Sequence, residues 1–151
     1  MKLAEALAER SEIQTRIDEL KKRLVKSARI QEGEKPPEQA EDLLQEVDRL
    51  FSRLLELISG INRTNSQTRF DGARTISDAI AARDLLAKKR DFLAGIADAA
   101  STRQDRYSKS EVKFVATVSV GGLQKQVDQL SKEFRQMDTA LQELNWKTEF
   151  V

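Results

Sequence analysis

Polar residues that could bind an anion or a sugar lie close together near the middle of the chain. Asn62 and Asn65 are three residues apart, so both amides face one side if the chain is helical there. Each amide both donates and accepts, and Arg63 and Arg69 add planar guanidinium donors. A carboxylate, a phosphate or a sugar would suit these groups. The alternative is that the asparagines end a helix and hydrogen-bond inside a helical bundle.

Asp84 could extend this cluster, because it lies next to apolar residues in the sequence. A buried aspartate needs a cationic partner, and Arg63 or Arg69 would serve. The alternative is a surface pair between Asp84 and Lys88, one helical turn on. On the first interpretation, Asn62, Asn65 and Arg69 hydrogen-bond to groups on the helix that contains Asp84.

The single tyrosine of the chain, Tyr107, is a further candidate. It could act as an acid if Arg106 or Lys109 lowered its pKa. The alternative is that its hydroxyl anchors a loop through one hydrogen bond.

The composition excludes most other chemistry. The chain has 151 residues with no cysteine and no histidine, so thiol nucleophiles, disulfides and the commonest general base are absent. No phosphate-binding or nucleophile motif occurs, and we expect no cofactor and no metal site. Lys and Arg number 26 against 25 Asp and Glu, a balance that argues against a nucleic-acid-binding protein. We therefore lean against an enzyme.

Membrane insertion and secretion are also not expected. No apolar run approaches the roughly 18 residues that a membrane span needs. Glu5 and Glu9 interrupt the apolar residues near the start, which does not resemble a signal peptide. We predict a cytoplasmic protein.

The elements that must position these groups are helices. Apolar residues recur at alternating three- and four-residue spacings in four segments, which predicts helices at about 2–31, 39–68, 76–101 and 119–144. In the second segment, Leu44, Phe51 and Ile58 widen the apolar face, as a helix in a bundle core requires. Thr75 and Asp78 predict a capping box at the third helix. We predict one helical domain over residues 1–151, an antiparallel four-helix bundle.

Two short segments near the end of the chain alternate apolar and polar residues as strands do. Residues 112–118 and 146–151 therefore predict a small two-stranded β element near the C-terminus. Exposed strand edges attract other chains, so we expect a homo-oligomer, first of all a dimer. Phe114, Val115, Trp146 and Phe150 would lie at its contacts.

Four stretches carry a resemblance to a known family. They are Ile61-Asn62-Arg63-Thr64-Asn65, the TISDAIAARD run at 75–84, the RYSKSE run at 106–111 and the QELNW run at 142–146. Together they resemble the septicolysin-like family of small bacterial proteins, over nearly the whole chain. The resemblance implies a helical core with a small β element, and some members carry a cytolysin label.

Besides the cytolysin activity that the family label implies, the sequence leaves two functions open. The first is a non-enzymatic homo-oligomeric protein that assembles or interacts through its amphipathic helices. The second is a small-molecule or anion binder, or an enzyme, that uses Asn62, Asn65, Arg69 and Asp84.

Overall fold

Four α-helices make up most of the chain in the computed structural model, which describes residues 1–101 and 112–151. They are α1 (Leu3–Ser27), α2 (Ala40–Gln67), α3 (Ile76–Ser101) and α4 (Val120–Lys147). The four predicted helices are thus confirmed. By backbone contacts the chain forms two compact units, which are Met1–Arg69 with Glu143–Val151, and Phe70–Gln142. The single domain stays a prediction.

In the first unit, α1 and α2 pack as an antiparallel pair. Their buried apolar side chains are Leu3, Ala6, Ile13 and Leu20 on α1, and Leu43, Leu57 and Ile61 on α2. Three ion pairs link α1 to α2 or to the residues just before it. As the residue number rises along α1, that of the partner falls, which is the order of an antiparallel pair. The pairs are Glu9 with Arg53, Arg16 with Glu46, and Arg23 with Glu38. Because these side chains remain about one-third exposed, the apolar core contributes more stability than the pairs do.

The connection between α1 and α2 begins earlier than the predicted end of the first helix. Val25 is 70% exposed and Ile30 is 45% exposed, so no packing holds another helical turn in place. The amide of Glu34 donates to the carbonyl of Gln31, and Gly33 takes a positive φ of 90° in that turn. Glycine fits there because it lacks a side chain.

In the second unit, α3 and the first part of α4 form another antiparallel pair. Nη1 of Arg83 on α3 donates to Oδ1 of Asp138 on α4 at 3.0 Å. About one turn toward the start of α4, the ring of Phe134 lies 5.4 Å from the guanidinium of Arg90. This cation–π contact and the ion pair fix the register of the two helices.

The predicted cap of α3 is confirmed. Oγ1 of Thr75 accepts the amide of Asp78 at 3.3 Å, and Oδ2 of Asp78 accepts the amide of Thr75 at 2.9 Å. This reciprocal pair satisfies two amides at a helix start. At α4, Oγ of Ser119 accepts the amide of Gly122 at 3.1 Å, which caps that helix similarly.

The predicted β element is wrong. Residues 112–118 are exposed and form no strand, and an isolated antiparallel bridge, not a strand pair, joins Lys2 to Glu149. Two strands alone are marginal in water, so the alternating pattern at 112–118 is not enough without a partner. Trp146 lies in α4, which continues to Lys147. Trp146 and Phe150 are four residues apart, a spacing that suits a helix as well as a strand.

After α4, residues 148–151 return to the first unit, and we call them the return segment. The amide of Leu3 donates to the carbonyl of Thr148, and the amide of Phe150 donates to the carbonyl of Met1, both at 2.9 Å. The amide of Val151 donates to Oγ1 of Thr64 on α2 at 3.1 Å. Thr64 is fully buried, and its hydroxyl also donates to the carbonyl of Gly60. The return segment therefore ties α1 to α2.

The ion pairs of the first unit predict a loss of stability in acid. Hydrogen bonds from Arg53 hold the pKa of Glu9 below its usual value, and those from Arg23 lower the pKa of Glu38 in the same way. A lowered folded-state pKa stabilises the fold above the unfolded pKa, and this contribution disappears as pH falls through the folded value.

We therefore expect the free energy of unfolding to be flat from pH 7 to about 5 and to fall between about 5 and 3. Urea unfolding followed by circular dichroism measures it. The Glu9→Gln, Glu38→Gln double variant should show a shallower fall than the parent chain. An equally steep fall in both proteins would assign the acid sensitivity to other carboxylates.

Candidate functional site

An apolar stripe runs along the exposed side of α2. Its members recur at spacings of seven, four and three residues, so they lie on one side of the helix. They are Leu44, Phe51, Leu55 and Ile58, with 51%, 53%, 67% and 37% of their surfaces exposed. We call them the α2 stripe. By their sizes these side chains leave about 400 Å² of apolar surface in water, which is in the range of functional patches on monomers.

The prediction that Leu44, Phe51 and Ile58 face a bundle core is wrong, because all three are exposed. The apolar arc of α2 is wide, as predicted, but only the edge that carries Leu43, Leu57 and Ile61 is buried. An apolar pattern shows which side of a helix avoids water, and it does not show how many neighbours cover that side.

A second apolar stripe lies on α3. Leu85, Phe92 and Ile96 are 63%, 68% and 40% exposed, and their spacings of seven and four place them on one side of that helix. We call them the α3 stripe. The residues of α3 that are buried are Ile76, Ala79 and Ala97. Exposed Gly95 and Ala99 lie beside the stripe. Small residues there leave room for another helix to approach closely.

Each stripe contains one charged residue in the same relative place. Asp48 is exposed between Leu44 and Phe51, and Lys89 is exposed between Leu85 and Phe92. The signal is present in the sequence: residues 44–55 and 85–96 align with leucine, a charge, phenylalanine and leucine or isoleucine at equal spacing. The match becomes visible only when the two helices are compared with each other, because each stripe alone is an ordinary amphipathic pattern.

The predicted polar cluster is spread over exposed positions. Asn62 and Asn65 lie inside the last turns of α2, so they do not end the helix. Asn62, Arg63 and Arg69 are exposed, and Asn65 is half-buried. Asp84 lies on α3, is exposed, and pairs with Arg83 at 3.1 Å. These residues therefore do not form a buried network, and anion or sugar binding by them stays a prediction.

The other candidates fall into three groups. Tyr107 lies outside the described residues. Phe114, Val115 and Trp146 are 79%, 81% and 64% exposed, and their place at a contact between copies stays a prediction. Phe150 is half-buried, because its ring lies against Gly60 of its own α2. It therefore packs within the first unit and is not part of an open strand edge.

A shallow groove of about 490 Å³ lies between α3 and α4 in the second unit. Leu86 and Met137 form part of its apolar lining, and Arg74 is its cationic group. The guanidinium of Arg74 binds Asp71 at 2.8 Å and lies 5.4 Å from the ring centre of Phe70. Because Asp71 already neutralises it, the groove has no cation available for an anionic ligand. In residues 1–101 and 112–151, no group of acidic side chains is arranged to hold a metal ion.

The chain matches one family model and one solved structure. A family model described as a family of unknown function, DUF6847, matches residues 10–150. The chain belongs to DUF6847. No curated protein matches it. A solved structure, described as a functionally unknown conserved protein from Corynebacterium diphtheriae, is 46% identical and has a TM-score of 0.95. The similarity covers 100% of this chain and 99% of that one.

These findings place this DUF6847 chain in a family and a fold without assigning an activity. They do not test the resemblance to the septicolysin-like family, which stays a prediction. In the described parts of the chain, none of the helices has an apolar stretch long enough to cross a membrane. The stripes on α2 and α3 are ordered helical apolar surfaces that the packing of the helices leaves exposed.

Proposed function

We propose that this protein is a non-enzymatic assembly protein in which the α2 stripe binds a second copy of the chain. The supporting observation is the α2 stripe itself, above all Phe51 and Leu55, which are more than half exposed. Placing an aromatic ring and three aliphatic side chains in water costs free energy that association recovers. The spacing of seven, four and three residues is that of a coiled-coil seam.

The size of the patch agrees with self-association. The α2 stripe supplies about 400 Å² of apolar area, and a matching surface on the second copy brings the total to some 800 Å² before any polar rim is counted. A stable interface buries about 1,200 Å² or more in total, so the flanking side chains need to add about a third.

Size-exclusion chromatography with light scattering tests this function. At about 100 µM, a concentration at which weak dimers form, the parent chain should have at least twice the 17.1 kDa of one chain. Phe51→Glu should shift the mass to a single chain, because it places a carboxylate in the apolar contact. Circular dichroism should show unchanged helix content, since residue 51 is outside the core.

Val25→Glu is the matched control. Val25 is an apolar residue with 70% exposure on α1, away from the stripe, so this variant should keep the mass of the parent chain. A single-chain mass for the parent protein at this concentration would refute the proposal. If Phe51→Glu and Val25→Glu both abolished association, the contact would lie outside the α2 stripe or would be nonspecific.

A further inference from the structure

The α2 and α3 stripes have the same spacing, which suggests a specific occupant for each. Leu44, Phe51 and Leu55 on α2 correspond to Leu85, Phe92 and Ile96 on α3, always 41 residues apart. Resting on the self-association proposed above, we infer that the α2 stripe of one copy binds the α3 stripe of a second copy, with the two helices parallel. Parallel seams of equal spacing pair each member with its equivalent.

Charge selects this mixed contact over a contact between identical helices. In the parallel register, Asp48 of one copy lies opposite Lys89 of the other, at the same 41-residue offset. Two α2 helices in the same register would place one Asp48 against another, and two α3 helices would oppose their Lys89 residues. Like charges facing each other at a contact strongly disfavour the wrong pairing.

An antiparallel pair of α2 helices is also less favourable. Aligning Phe51 with Leu55 of the other copy would place Asp48 against Ile58. The carboxylate would then lose water without gaining a cation. In the mixed contact the same residue faces an ammonium group.

Side-chain size agrees with the same register. Ile58, the last member of the α2 stripe, lies opposite Ala99 at the 41-residue offset. Ala99 is exposed, and no atom lies within 4 Å of the position that a side chain at the neighbouring Gly95 would occupy. A larger residue thus meets a small one with open space beside it. Each mixed contact buries about 750 Å² of side-chain surface, and two such contacts in one assembly would reach the range of stable interfaces.

Exchanging the two charges tests the inference. Asp48→Lys and Lys89→Asp should each raise the dissociation constant at least about tenfold, because each creates a like-charge pair. The double variant Asp48→Lys, Lys89→Asp should recover the parent value within about threefold, because the pair is restored with reversed signs. Analytical ultracentrifugation gives the constants. Sedimentation of an Asp18→Lys, Lys125→Asp double variant serves as the control, since both residues are exposed and lie off the stripes on α1 and α4.

The outcomes separate this inference from the proposed function. If the parent chain associates and Phe51→Glu abolishes association while Lys89→Asp has no effect, the α2 stripe functions but its partner is not α3. If the double variant is as weak as Asp48→Lys alone, the pairing of Asp48 with Lys89 is wrong. If the parent chain is a single chain at about 100 µM, both fail together.

Discussion

Gly60→Ala should release Phe150 from α2 and lower the free energy of unfolding by about 1–2 kcal/mol. A methyl group at residue 60 would lie 2.2 Å from Cζ and 2.5 Å from Cε2 of Phe150, far inside van der Waals contact. The same methyl group would lie 3.1 Å from the carbonyl oxygen of Val151, so the backbone of the return segment crowds it as well. The ring therefore has to leave, and the return segment loses its packing.

Removing the ring should remove most of this penalty. Alanine is a better helix former than glycine by about 1 kcal/mol, but the clash with Phe150 outweighs this gain when Gly60→Ala is made in the parent chain. In a Phe150→Ala background, Gly60→Ala should therefore leave the free energy of unfolding unchanged or raise it. Urea unfolding of the four proteins gives this double-mutant cycle.

Amide hydrogen exchange reports the release directly. The amides of Phe150 and Val151 should exchange faster in Gly60→Ala, since their bonds to Met1 and Thr64 depend on the docked segment. The amides in the middle of α3 serve as an internal control, and their exchange should be unchanged. Equal destabilisation by Gly60→Ala with and without Phe150 would show that the ring does not limit residue 60.

The helices were predictable because their signals are local. Spacing of apolar residues placed all four, and the cap of α3 followed from Thr75 and Asp78, which are three residues apart. The start of α2 and the ends of α3 also agree with the pattern to within about one residue. Local geometry alone determines these features, so a single sequence suffices to find them.

The packing of Phe150, the conformation of residues 146–151 and the exposure of the polar residues could not be predicted, because they depend on contacts between elements that are distant in the sequence. Gly60 lies inside the predicted helix at 39–68, and no local pattern indicates that Phe150 packs against it, as the structure shows. Likewise, the alternation at 146–151 fits a strand and a helix end equally, and contacts with Met1 and Thr64 decide between them. Asn62 and Asp84 each had a buried and an exposed interpretation, and only the packing assigns them to the surface.

Neighbouring leucines of α2 differ sharply in their exposure to water. Leu57 is fully buried, whereas Leu55, two residues away on the same helix, is 67% exposed. The same substitution at the two positions removes the same atoms and has the same effect on helix propensity. Any difference between Leu57→Ala and Leu55→Ala therefore comes from what surrounds each side chain.

Leu57→Ala should lower the free energy of unfolding by about 3 kcal/mol, because it leaves a cavity in the core of the first unit. Leu55→Ala should change it by less than about 0.5 kcal/mol when measured on dilute, dissociated protein, where association adds nothing to stability. The effects on self-association should be reversed, with Leu55→Ala raising the dissociation constant and Leu57→Ala, where still folded, leaving it near the parent value. Equal losses of stability would mean that water does not reach Leu55, and a binding stripe on α2 would then have no basis.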